Sequence, residues 1–111
     1  MRFQVSTFFK ILAVGAFLLL FSLGLQAGAP SDGGDLFKKN CAMCHGPDGK
    51  GYPHMTPDFT DPKVQASLTD KEIAETIKNG KKGTSMPPFG SKLTDDQIQS
   101  LVTYIRSLKK Q

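Results

Sequence analysis

Five consecutive residues, Cys41-Ala42-Met43-Cys44-His45, concentrate the reactive side chains of this 111-residue chain. Their order is C-x-x-C-H. On one turn of helix, residues three apart share a face, so both thiols point the same way and the imidazole falls beside them. Two thiols so placed can each add to a vinyl group on neighbouring edges of one porphyrin. His45 then lies under the ring, where it can ligate the iron, and the pattern is that of c-type haem attachment. Other chemistries compete for the same cysteines. A structural disulfide is disfavoured, because cysteines this close in sequence rarely bridge without a catalytic purpose. A thioredoxin-like redox pair wants a βαβ setting, and no such strand pattern follows. A zinc site needs four ligands; Cys41, Cys44, His45 and His54 supply the number, but the adjacent Cys44 and His45 make poor tetrahedral geometry.

A haem iron held by His45 needs a ligand on its other side. Met86 sits in Lys81-Lys82-Gly83-Thr84-Ser85-Met86-Pro87-Pro88-Phe89-Gly90. The two prolines after it stiffen the loop and remove backbone donors, so a thioether can be held at a fixed distance from iron. His54 and Met55 are also able to coordinate, but they lie close in sequence to His45, which makes the opposite face hard to reach. They read as a solvated loop histidine and a packing methionine. An iron-bound imidazole usually gives its second nitrogen to an acceptor, and a carbonyl of the Tyr52–Pro62 loop, that of Pro57, is placed to serve. Phe59 reads as core against the haem.

These residues must be positioned by short helices. Asp35 to Cys44 reads as a helix that ends at the motif, with Asp32 or Asp35 at its start and Phe37 one turn before Cys41. Gly46-Pro47-Asp48-Gly49-Lys50-Gly51 turns the chain, and its glycines would let the backbone pass close to the ring. Tyr52–Pro62, with three prolines, is an extended loop along one haem edge. Val64–Leu68 forms a short helical turn. Thr69-Asp70-Lys71-Glu72 and Thr94-Asp95-Asp96-Gln97 are capping boxes. The first opens a helix with Ile73, Ala74 and Ile77 on one face, ended at Gly80. The second opens a helix with Ile98, Leu101, Val102, Ile105 and Leu108 on one face, where Lys109 and Lys110 suit the C-terminal dipole.

The totals agree with a small haem domain. The formal charge is +4, but Arg2 and Lys10 lie in a leader, which leaves twelve basic against ten acidic residues. That is too mild a balance to point to nucleic acid. Both cysteines are in the motif. A domain of roughly 80 residues buries little core alone, and a covalently held ring would supply apolar mass. Residues 1–29 have the basic start and apolar run of an export signal. Ile11–Leu25 would span roughly 22 Å as a helix, short of the ~30 Å of a bilayer core. Ala27-Gly28-Ala29 fits a cleavage site, but Pro30 follows it and no charge falls between Ile11 and Ser31. Two expectations stay open: a cleaved signal, or an uncleaved membrane tether through residues 11–31. Either places the domain outside the cytoplasm, periplasmic in a bacterium. Residues 30–34 read as a linker and 35–111 as the domain.

Cys41-x-x-Cys44-His45, the Gly-Pro-Asp-Gly-Lys-Gly that follows, Met86-Pro87-Pro88-Phe89 and the capped C-terminal helix resemble the small class I c-type cytochromes of bacteria, from Gly33 to Leu108. In that family the first and last helices cross beside the haem. Gly33 and Phe37 match its pair on the first helix, Leu101 and Tyr104 its pair on the last. Pro57 is similar in position to the proline whose carbonyl orients the proximal histidine. The resemblance implies an all-α, cytochrome c-like fold of three main helices around one covalently bound haem c. It further implies His45–Met86 axial ligation and single-electron transfer, with no catalytic residues.

The expected function is therefore a monomeric electron carrier, not an enzyme, that meets a donor and an acceptor protein outside the cytoplasm. Lys38, Lys39, Lys78, Lys81 and Lys82 either form a basic rim that steers acidic partners or are merely solvated. Two other classes remain. A haem enzyme or gas sensor would need a labile sixth ligand. A fixed cytochrome subunit of a membrane oxidase or dehydrogenase would share the haem chemistry but keep permanent partners.

Overall fold

The computed structural model describes residues 32–111; the leader and its cleavage or anchoring lie outside the described residues. Five helices follow in order: α1 Gly33–Asn40, α2 Ala42–His45, α3 Pro62–Ser67, α4 Asp70–Asn79 and α5 Asp95–Ser107. No strand occurs among the described residues. None of their helices is long and apolar enough to cross a membrane.

Asp32 caps α1 by accepting from Gly34 N–H at 2.9 Å, so the helix begins two residues before the expected boundary at Asp35 and takes in Gly33 and Gly34. Both glycines are buried; they belong to the domain and not to a linker. The expected single helix to Cys44 is broken at Cys41, where φ is −118°. The chain stays tied across the break by Cys41 N–H to the Phe37 carbonyl at 2.8 Å and His45 N–H to the Cys41 carbonyl at 2.9 Å. α3 starts with Pro62 after the Asp61 cap, a position where the missing N–H is no loss. Both capping boxes form, Thr69 with Glu72 and Thr94 with Gln97. α5 ends at Ser107, so Lys109 and Lys110 lie beyond it and Arg106 is the cation of its last turn.

α1 crosses α5 at Gly33. A Cβ on Gly33 would lie 2.2 Å from the Ser100 carbonyl oxygen and 2.9 Å from Tyr104 Cβ, so only a bare backbone permits this approach. Phe37 and Leu101 are fully buried at the crossing, and the Phe37 and Tyr104 rings meet at 5.3 Å. The four residues matched by resemblance thus come together. The core continues through Phe59, Ile73, Ile77, Leu93, Ile98, Val102 and Ile105.

The glycines after the motif also serve the protein's own packing. A Cβ on Gly51 would sit 2.5 Å from the Pro57 carbonyl oxygen. One on Gly49 would sit 2.5 Å from Leu108 Cδ1. Both clear space for the protein's own chain.

Candidate functional site

An apolar cleft of about 230 Å³ opens between α2, the 46–61 loop, α4 and the 80–90 loop. A single water needs only ~10–15 Å³, so the cleft is sized for an organic group and not for a bare ion. Its walls bring together Cys41, Cys44 and His45 from one side and Met86, Pro87 and Phe89 from another. Phe37, Phe59, Ile73, Ile77 and Ile105 supply apolar wall.

The two thiols are unpaired with each other. Cys41 is half-buried and Cys44 exposed at the cleft. Burial, and then the neighbouring Cys44, push the Cys41 thiol up to about 11. That is opposite to the lowered values of redox-active thiols. Zinc is disfavoured as well: among the described residues no three His, Cys, Asp or Glu side chains are grouped to hold a metal ion.

Burial also lowers the His45 pKa, which leaves a neutral imidazole with a lone pair for a metal at pH 7. The His45 ring stacks on Phe59, centroids 5.0 Å apart and planes 23° from parallel. Its Nδ1 is buried and without a hydrogen-bond partner. Pro57 lines the cleft, yet its carbonyl does not take this nitrogen. Instead the carbonyl sits against Gly51.

The Met86 loop is held in shape by its own backbone. Lys81 N–H donates to the Met86 carbonyl at 3.2 Å, and Met86 N–H donates to Thr84 Oγ1 at 3.3 Å. Phe89 N–H and Gly90 N–H donate to the Ile77 and Lys78 carbonyls, which fastens the loop to the end of α4. The half-buried Met86 is thus fixed by more than its prolines.

His54 is exposed and adopts φ 63°. Met55 stands at the cleft mouth and is 81% exposed, so it is not the packing methionine expected. Of the five candidate rim lysines, only Lys81 lines the cleft. Lys78 is paired with Asp95 at 2.8 Å. Thr56 was not singled out by any sequence pattern. Its hydroxyl donates to the Cys44 carbonyl at 3.0 Å and accepts from Tyr52 N–H at 2.8 Å, closing the loop onto the motif. A lone threonine in a proline-rich loop carries no signal for that role.

The donor set fits one group: two thiols, a neutral imidazole and a thioether facing an apolar cleft are what a covalently attached haem requires. The chain matches the model of the family described as "Cytochrome C oxidase, cbb3-type, subunit III" over residues 28–105. It is 38% identical over 97 residues to the cbb3-type cytochrome c oxidase subunit FixP of Sinorhizobium medicae, covering 76% of this chain and 32% of that protein. It therefore spans about a third of the length of that relative. It is 36% identical over 81 residues to cytochrome c6 of Gloeothece citriformis, covering 71% of each. Among solved structures, the KustC0563 c-type cytochrome superposes with a TM-score of 0.65 at 35% identity, covering 71% of this chain and 99% of that one.

Proposed function

Because this chain belongs to the cbb3-type cytochrome c oxidase subunit III family of c-type cytochromes, we propose that it is a single-haem electron carrier working outside the cytoplasm. The fold is the all-α cytochrome c fold, and the family's role is electron transfer. The observation that carries the finer reading is the convergence of Cys41, Cys44, His45 and Met86 on one apolar cleft.

When bound, haem supplies an iron that cycles between ferrous and ferric states. The protein's part follows from its residues. Cys41 and Cys44 would hold the ring: each S–H would add across a vinyl group, sulfur to one carbon and hydrogen to the other, so attachment would need no oxidant. His45, neutral through burial, offers a lone pair from one side. Met86 offers a thioether from the other, and a thioether ligand raises the potential. With His45 and Met86 both serving as ligands, a bound iron would have no open position for a substrate. The apolar wall of Phe37, Phe59, Ile73, Ile77 and Ile105 excludes water and favours the less charged ferrous state.

A second reading has its own support. Several relatives are named as subunits of cbb3-type oxidase, FixP and CcoP among them. A cytochrome domain held permanently beside an oxidase would use the same cleft.

The test is the optical spectrum of the full chain made in a host that attaches haem, reduced, with and without carbon monoxide. A low-spin c-type spectrum that the gas leaves unchanged is expected. A shift on adding the gas would replace the carrier with a sensor or enzyme, and a haem-free product would overturn the reading. Co-purification from native membranes separates the two carrier readings: oxidase subunits would accompany a fixed subunit but not a mobile carrier.

A further inference from the structure

Gln65 and Arg106 lie outside the ligand set, yet they tie together the backbones of three residues that wall the cleft. Gln65 is 5% exposed. Both hydrogens of its amide are used: Nε2 donates to the Phe59 carbonyl and to the Ile105 carbonyl, each at 2.7 Å. Its Oε1 accepts from Arg106 Nη1 at 2.9 Å. Arg106 also donates to the Gln65 carbonyl at 2.7 Å and to the Leu68 carbonyl at 2.5 Å, and its Nε pairs with Asp70 at 2.6 Å. Phe59, Leu68 and Ile105 all line the cleft. The carbonyls of Gln65 and Ile105 belong to the last turns of α3 and α5, where helical partners run out; that of Ile105 also accepts from Leu108 N–H at 3.2 Å, and a cation is favoured at the end of α3.

The consequence runs to the iron ligand. Phe59 is pinned on both sides of its backbone, its N–H donating to the Gly49 carbonyl at 2.9 Å and its carbonyl taken by Gln65. Its ring lies nearly flat against His45. His45 cannot turn about its Cβ–Cγ bond without displacing that ring. An iron-bound histidine is ordinarily oriented by a hydrogen bond from its other nitrogen, but His45 Nδ1 makes none. Of its two aromatic neighbours, Phe37 stands tilted at 6.4 Å and Phe59 stacks at 5.0 Å, so stacking on Phe59 is the closer contact that sets the plane of the imidazole.

We propose that Gln65, locked by Arg106, is a positioning residue for the iron-ligating imidazole: it fixes Phe59, and Phe59 fixes the plane of His45. This rests on the reading of His45 as the ligand of a bound haem. The plane of an axial imidazole governs how unpaired spin spreads over the ferric ring, and the tightness of the wall governs how much water reaches it. Both can be read without any turnover.

The experiment compares the haem-loaded full chain with Gln65→Leu, Gln65→Glu, Arg106→Lys and Asp70→Asn. The readouts are the haem-methyl proton resonances of the ferric protein and the midpoint potential. Gln65→Leu keeps much of the volume but loses both donors. Gln65→Glu keeps the partner of Arg106 and also loses both donors. Both are expected to shift the methyl pattern and lower the potential, because a loosened wall admits water and favours the ferric charge. Arg106→Lys keeps the charge without the fork and should move both readouts the same way by less. Asp70→Asn weakens the hold on Arg106 Nε but leaves the Nη contacts to Gln65 and Leu68, and should move both readouts least.

Gln65 variants with a lower melting temperature but the wild-type methyl pattern and potential would overturn the proposal, since that is what a purely structural amide would give. If Gln65→Leu fails to accumulate, Gln65→Glu and Arg106→Lys are judged by the same criterion. A wild-type chain without haem, or with an iron ligand other than His45, defeats the functional reading and this one together. A normal wild-type spectrum with indifferent variants defeats this one alone.

Discussion

Replacing Gly33 with Ala should destabilise the protein by about 2 kcal/mol, and the sum can be followed term by term. The added Cβ would lie 2.2 Å from the Ser100 carbonyl oxygen, where ordinary contact begins at 3.4 Å, so about 1.2 Å must be found. The obstacle is backbone inside α5 and cannot swing away. α1 and α5 must part, loosening Phe37 and Leu101, both completely buried. Overpacking of this kind costs roughly 1–3 kcal/mol, and an immovable neighbour places Gly33 near the top of that range. Against it stand the better helix propensity of Ala and the lower entropy of the unfolded chain, together at most ~1 kcal/mol at a first helical position. Clash wins. For a domain of this size each kcal/mol lowers the melting temperature by about 4–8 °C, so a fall of roughly 8–16 °C is expected in a circular dichroism melt of the haem-loaded chain. Gly34→Ala is the control. It carries the same propensity and unfolded-state terms, but its Cβ meets only the Tyr104 ring at 3.2 Å and the Asp32 carboxylate at 3.3 Å. It should lie within ~0.5 kcal/mol of wild type. Equal melting temperatures for the two variants would refute the reasoning, because only the backbone clash distinguishes them.

Two further outcomes are expected. Met86→Ala should open the iron's sixth position, so that the reduced protein binds carbon monoxide and its potential falls; an unchanged spectrum would mean that another side chain is the ligand. Stability should also drop in acid. The Lys50 backbone N–H holds the Asp48 carboxyl below its usual range, the Thr60 hydroxyl and N–H do so for Asp58, and the Thr69 N–H and hydroxyl for Glu72. A carboxylate lowered in the folded state contributes stability that is complete above its unfolded pKa, near 4, and is lost as pH falls through the lowered folded value. Urea midpoints measured from pH 6 to pH 3 should therefore decline below about pH 4.5, with a shallower decline for Glu72→Gln. A flat profile would count against these assignments.

What could be read from the sequence follows from the range of the interactions involved. The capping boxes at Thr69 and Thr94 close within three residues, so four letters suffice to place them. The faces of α4 and α5 repeat every three or four residues, and Ile73, Ile77, Ile98, Leu101, Val102 and Ile105 are all buried. Contacts between distant segments were not legible. Gln65 meets Ile105 across forty positions, and Lys78 meets Asp95 across seventeen. As a letter, Gln65 is a polar residue on a short helix, which ordinarily faces water. It is buried here because the Phe59 and Ile105 carbonyls face one gap that the side chain fills, and that gap exists only once α3 and α5 have packed. The break at Cys41 is hidden as well. Neither Gly nor Pro stands between Phe37 and His45, so no breaker in the letters marks where the helix stops.

The cleft and the core are largely the same residues. Of the nine buried apolar side chains among the described residues, Phe37, Phe59, Ile73, Ile77 and Ile105 also line the cleft. A chain this small has too little apolar surface to build a core and, separately, a pocket. A haem in the cleft would stand against five of those nine, so it would act as a core element as much as a cofactor. Fold and redox function are then coupled through shared atoms. Parting α1 from α5 at Gly33 also moves the arm that carries Cys41, Cys44 and His45, while a looser Phe59 weakens the core as it frees the imidazole. Substitutions in this wall should move melting temperature and potential together, whereas changes at exposed pairs such as Lys71–Glu75 should move neither.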